Sequence, residues 1–157
     1  MKKFISTKRF SGFTCCFRQW RAKHTHCSFL HGYAISFKVY FEGELDENNW
    51  VWDFGGMKRA KNKIDGMRPD EWIKYMFDHT VIIAEDDPFL QEFIKMNENK
   101  IIQLRIIPYV GAEGFAEYIY NKLSEFIELE TNNRVNIKKI EFSENENNSA
   151  IYLNKKC

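Results

Sequence analysis

Apolar residues occupy alternate positions from Ile35 to Phe41 (Ile35, Phe37, Val39, Phe41), separated by Ser36, Lys38 and Tyr40. A period of two predicts a strand with one buried face. His31 and Tyr33 share that parity and would point the same way if the strand starts that early. Residues 4–20 predict a preceding strand, and Glu44 to Asn49 a polar turn. Asp53 predicts the cap of a helix over 54–64, stopped by Asp65-Gly66. Residues 70–77 predict a short helix leading into Asp78-His79. Asp86-Asp87-Pro88 has the acidic start and early proline that open a helix, here to about Met96. Residues 101–107 predict a short strand. Phe115, Ala116, Ile119, Tyr120, Leu123, Phe126 and Ile127 keep helical spacing within 112–129. Two closing strands, 135–144 and 150–154, flank the turn Asn145 to Asn148. The order is two strands, helices, two strands. It predicts an α+β domain spanning 1–157, an antiparallel four-stranded sheet with helices on one face.

Composition narrows the function classes more than the fold. Lys plus Arg number 23 and Asp plus Glu 22, so no global field favours nucleic acid or an anionic membrane. The basic run Lys58 to Lys63 reads as a solvated helix face. No segment approaches the roughly 20 apolar residues that cross a bilayer. The N-terminus lacks the apolar run and cleavage site of a signal peptide. Four cysteines, two of them the neighbours Cys15 and Cys16, make a poor disulfide framework. The expectation is a cytoplasmic protein with reduced thiols, without a nucleic-acid or membrane partner. Aromatics at 16% suit a β-rich core, a ligand pocket or a subunit interface alike.

The candidate chemistry is concentrated. Cys15, Cys16, His24, His26, Cys27 and His31 include three of the four cysteines and three of the four histidines. Such clustering of soft, titratable groups points to metal binding, nucleophilic or acid-base chemistry. Cys27 reads either as a general base or as an inert buried thiol. A structural zinc knot is a rival reading, although neighbours in His24-x-His26-Cys27 cannot all face one ion. Elsewhere, Asp78-His79 reads as a surface pair or as a carboxylate orienting an imidazole proton shuttle. Glu113 reads as a helix N-terminal acid favoured by the dipole or as a site residue. Asp53 reads first as a cap.

Taken in order, these residues resemble the 6-pyruvoyltetrahydropterin synthase and 6-carboxytetrahydropterin synthase family. Its members carry a thiol, three residues, then His-Gly-His opening the second strand, which here reads Cys27-Ser28-Phe29-Leu30-His31-Gly32-Tyr33. Four further landmarks match: Asp53-Phe54 after a strand end, Asp78-His79, Glu113 at the start of a long helix, and Glu144 eight residues before Tyr152. The resemblance implies a tunnelling fold whose subunits form a ring, a trimer or hexamer, with active sites at their interfaces. It implies a pterin substrate, Cys27 as general base, Asp78 and His79 as proton relay, and Glu144 and Glu113 in substrate binding. One carboxylate such as Glu144 can accept both donors of the pterin edge, the 2-amino group and N3–H. The family holds zinc with three histidines. Here His31 keeps its place, Cys16 falls at the first-strand position, Tyr33 stands at the last, and His24 or His26 in the loop is the candidate third donor, His26 being taken. The expected activity is a lyase on dihydroneopterin triphosphate. The 6-carboxytetrahydropterin branch leads to deazapurine (queuosine-type) biosynthesis, and the 6-pyruvoyl branch is the alternative. A metal-free relative that binds a pterin or purine without turnover is a third.

Overall fold

In the computed structural model, which describes residues 1–155, the long alternating segment is the middle of the sheet. The strands are β1 (Phe4–Phe17), β2 (His31–Gly43), β3 (Thr80–Ala84), β4 (Leu104–Ile107), β5 (Val135–Ser143) and β6 (Ser149–Leu153). The helices are α1 (Gly56–Arg59), α2 (Pro69–Phe77), α3 (Leu90–Glu98) and α4 (Ala112–Glu130), and a single 3-10 turn spans His26–Ser28. β2 is longer than Ile35–Phe41 and does include His31 and Tyr33.

The sheet departs from the expected four antiparallel strands. It has six, in the order β4-β3-β1-β2-β5-β6. β1–β2, β2–β5 and β5–β6 are antiparallel, whereas β3 pairs in parallel with β1 and with β4. The sequence pattern misses β3 for a physical reason. Thr80-Val81-Ile82-Ile83-Ala84 is buried at every residue, so no alternation marks it. Ile82 faces the main core, while Val81 and Ile83 face a second cluster built on Phe93 of α3. Helices therefore cover both faces at this edge of the sheet, not one.

The main core lies between the sheet and α2 and α4. Phe37, Phe41, Phe77, Phe115 and Phe142 are almost wholly buried there, and Phe115 contacts Phe17, Phe77 and Phe142. α1 is a single turn rather than the helix expected over 54–64. Asp53 Oδ1 accepts from Gly55 N at 2.8 Å, a local turn bond that competes with helix propagation. Ala60 already has extended ψ, and Lys61 and Asn62 donate their backbone N–H groups to Glu130 of α4. In β1, Gly12 (φ 86°) sits in the register shift between Phe10 and Phe13, a bulge whose left-handed residue glycine accepts without strain.

The segment 18–30 that links β1 to β2 is clamped to the β3–α3 connection. Arg18 Nε lies 2.8 Å from Asp87 Oδ2, whose side chain is 0% exposed. Asp87 Oδ1 also accepts from Phe89 N at 2.9 Å, just ahead of α3. Trp20 Nε1 and Arg21 both donate to Asp86. Removing one partner of a buried pair strands the other charge, which costs ~3 kcal/mol. Arg18→Ala is expected to lower Tm by roughly 6–12 °C for a domain of this size. Arg21→Ala, whose side chain is 74% exposed, should leave Tm within about 2 °C. Thermal unfolding by circular dichroism compares the two.

Candidate active site

The antiparallel register sets the geometry. Phe17 pairs with His31, Cys16 with Gly32 and Cys15 with Tyr33. Cys15 and Phe17 face the α4 side, in the main core, and Tyr33 packs against them. Cys16 points through the sheet to the second cluster with Val81 and Ile83. The rings of Phe17 and Tyr33 stack at 3.8 Å and 10°, and His31 lies over Tyr33 at 4.4 Å. An aromatic ladder thus rises from buried Phe115 through Phe17 and Tyr33 to exposed His31. His31 Nδ1 is 2.8 Å from the Phe29 carbonyl, which can only accept, so Nδ1 carries the proton and Nε2 is the free acceptor.

Cys27, on the turn ahead of β2, and Glu144, just past the Ser36–Ser143 pair, stand at the same end of the sheet as this ladder. The thiol is exposed on the 3-10 turn, whose cap Thr25 accepts from Cys27 N at 3.1 Å, while the Cys27 carbonyl accepts from Gln19 N at 2.8 Å. Glu144 leaves β5 one residue past the Ser36–Ser143 pair, on the parity of buried Phe142, and its N–H donates to Asn148 O at 3.2 Å across the hairpin. Both groups act on the Tyr33 phenol. Burial first, then the charges of Glu144, Cys27 and Cys15, push its pKa up to about 12. Cys15, buried beside Cys16, is likewise pushed up to about 12, chiefly by loss of solvent. It is held as a neutral thiol.

Asp78 and His79 sit elsewhere. Asp78 closes α2, and His79 has φ 58° with its N–H donating to Thr14 O at 2.7 Å. Asp78 Oδ1 and His79 Nδ1 are 3.0 Å apart, so the pair fixes the ring and turns Nε2 outward. The imidazole is 77% exposed. It lines a cavity of about 660 Å³ together with Cys16, Gly32, Lys100 and Gln103, and Gln103 Nε2 donates to the His79 carbonyl at 3.2 Å. This cavity opens on the α3 side of the sheet. No described hydrogen bond or ion pair joins it to Cys27.

Glu113, exposed in the first turn of α4, lines a smaller cavity of about 330 Å³ with Arg18, Trp20, Asp86 and Tyr109. Gly111 (φ 130°) precedes it, and a side chain there would run into Gln19. The glycine lets α4 approach the loop that carries Cys27. Sequence reasoning passed over Arg18, Gln19, Lys100 and Gln103. Arg18 meets Asp87 across 69 positions, and no local pattern encodes such a contact.

The expected metal donors Cys16, His26 and His31 do not converge. Cys16 is on the opposite face from His31, because adjacent strand residues point to opposite sides. His26 is exposed and packs only loosely against Phe29, at 6.5 Å between rings. Among the described residues no three His, Cys, Asp or Glu side chains form a group able to hold a metal ion. This arrangement of residues does not fit the implied zinc, nor a zinc knot.

The fold is an α+β frame with an aromatic ladder at one end of its central strands and an aspartate–histidine pair beside a cavity on the α3 side. The family model for 6-pyruvoyl tetrahydropterin synthase matches residues 6–155, and the chain belongs to that family. A Pyrococcus horikoshii protein provisionally named 6-carboxy-5,6,7,8-tetrahydropterin synthase is 28% identical over 116 residues, 73% of this chain and 66% of that protein, just under two thirds of its length. A Pyrococcus abyssi protein of the same provisional name is 24% identical over 134 residues, 80% of each chain. In fold, the chain is similar to the uncharacterized protein WS1659 from Wolinella succinogenes (TM-score 0.75, 18% identity, 99% of this chain and 100% of that one). It is also similar to the Caenorhabditis elegans 6-pyruvoyl tetrahydropterin synthase (TM-score 0.63, 18% identity, 99% and 98%).

Burial keeps Cys15 and Tyr33 neutral in the folded protein above the pH at which an unfolded chain ionises them, 9.0 and 10.0 respectively. The unfolded state then binds fewer protons, so stability falls as pH rises. The contribution of the two groups is intact below about pH 9 and is lost by about pH 12. Urea unfolding across that window should show a shallower loss for Cys15→Ala and for Tyr33→Phe than for the parent protein. Equal slopes in all three would show that neither group is held neutral.

Proposed function

We propose that this chain is a pterin-processing lyase acting on dihydroneopterin triphosphate, with the 6-carboxytetrahydropterin product that serves deazapurine (queuosine-type) biosynthesis. One observation carries the reading: the family match over residues 6–155, within which Cys27 is exposed on the turn ahead of β2 and Glu144 leaves β5 just past the Ser36–Ser143 pair. Glu144 accepts the two-donor edge of the pterin, fixing the ring by a charge-assisted pair of hydrogen bonds. Cys27 as thiolate then takes a carbon-bound proton from the side chain. Asp78 holds the His79 ring so that its outward Nε2 gives and takes protons. Glu113 and the neighbouring Arg18 stand where a polar substituent would pass. The provisional names of the two Pyrococcus relatives favour the carboxy product over the pyruvoyl one.

Cys27 is exposed on the turn ahead of β2 and does not line the His79 cavity. The reading therefore includes a homo-oligomer in which neighbouring copies share the site. Family membership supports this.

The test is incubation of purified protein with dihydroneopterin triphosphate and mass spectrometry of the products. Cys27→Ala is expected to lower kcat by about 100-fold or more with pterin affinity little changed. Glu144→Ala should weaken pterin binding about 10- to 100-fold, as expected for a lost charge-assisted pair. If both variants match the parent protein, the assignment of the site fails. Refolding Cys27→Ala subunits together with His79→Ala subunits should restore turnover that neither has alone. A mixture as inactive as its components would remove the shared site.

A further inference from the structure

The strand face that carries His31 is lined by rings. At the end of β1 and β2, His31 lies over Tyr33 and pairs with Phe17, and Phe17 and Tyr33 stack at 3.8 Å. Phe17 is fully buried and meets Phe115 of α4 edge-on at 4.9 Å, so it cannot swing aside to admit an ion without opening the core. Zinc in proteins takes Cys, His, Asp or Glu donors. A phenyl ring supplies none, and a phenol lies outside that set. Cys16, one residue away in sequence, is separated from His31 by the sheet itself. What this ladder does present is a hydroxyl, on half-buried Tyr33, whose ring is fixed between Phe17 and His31.

We propose that this chain does its work without a metal ion: the Phe17–Tyr33 stack lines the strand face that carries His31, and the Tyr33 hydroxyl donates a hydrogen bond to an oxygen of the bound ligand. The claim about the hydroxyl rests on the pterin reading above; the claim about the metal does not. A fixed O–H donor polarises an oxygen in the same direction as a Lewis acid, and it stores the geometry before the ligand arrives. The rigid stack beneath it holds the ring in place, and His31 closes the exposed end of the ladder.

Zinc content by mass spectrometry, followed by calorimetric titration of the protein with zinc, decides the first claim. A small fraction of one equivalent and no saturable uptake is expected. Stoichiometric zinc would overturn it, as would turnover lost to a chelator and restored by zinc. The double substitution Phe17→His/Tyr33→His places three imidazoles on one face, two at the paired positions 17 and 31 and the third two residues along β2, and is expected to gain saturable zinc binding that the parent lacks. If that variant does not fold, the titration of the parent still decides. For the second claim, Tyr33→Phe keeps the stack and removes only the donor. Its kcat should fall by about 100-fold, with affinity for a fluorescent pterin within about twofold. Unchanged kcat overturns the role of the hydroxyl. No pterin binding by the folded parent overturns the functional reading and the hydroxyl claim together, while the zinc titration tests the metal claim independently.

Discussion

The antiparallel register between β1 and β2 is the constraint from which the site follows. Phe17 opposite His31 and Cys16 opposite Gly32 decide which side chains share a face, and a shift of one residue would exchange them all. The register is held by burial on one side: Cys15, Phe17, Ile35, Phe37, Val39 and Phe41 all face α2 and α4. Moving any of these to the other face would expose large apolar surface, at roughly 1.5–3 kcal/mol for each side chain. The core thereby selects the aromatic ladder and directs Cys16 away from it. The chemistry available at the strand ends is a by-product of packing further down.

The second organising feature is the parallel strand β3. Covering it on both faces, by the main core and by α3, puts a histidine with positive φ at its entrance and a cavity beneath it. The same edge receives the loop 18–30 through the buried Arg18–Asp87 pair and the Asp86 contacts of Trp20 and Arg21. The loop that carries Cys27 is thus braced against the connection that leaves β3, the strand that His79 leads into.

Cys27 sits on a loop turn, Asp78 and His79 at a helix end and Glu144 just past a strand end, so none of them depends on a single strand face for its position. Metal ligands must converge to within bonding distance on one strand face. On the face that carries His31, Phe17 and Tyr33 supply stacking and burial rather than coordination.

The period-two pattern, read alone, placed β2 and its buried face, and helical spacing placed α4 to within a residue of its observed end. The order of the landmark residues was enough to assign the family. Local patterns carry this information because alternation and capping depend on neighbours in the chain. The number of strands, the parallel pairing of β3, the brevity of α1 and the second helical face were decided only in three dimensions. β3 is buried on both sides and so shows no period, and α1 is stopped by Glu130, 68 positions from Asn62. Cys16 shows the limit most clearly. Its sequence position matched a metal ligand, but which face it would point to depended on a register that only the packed sheet determines.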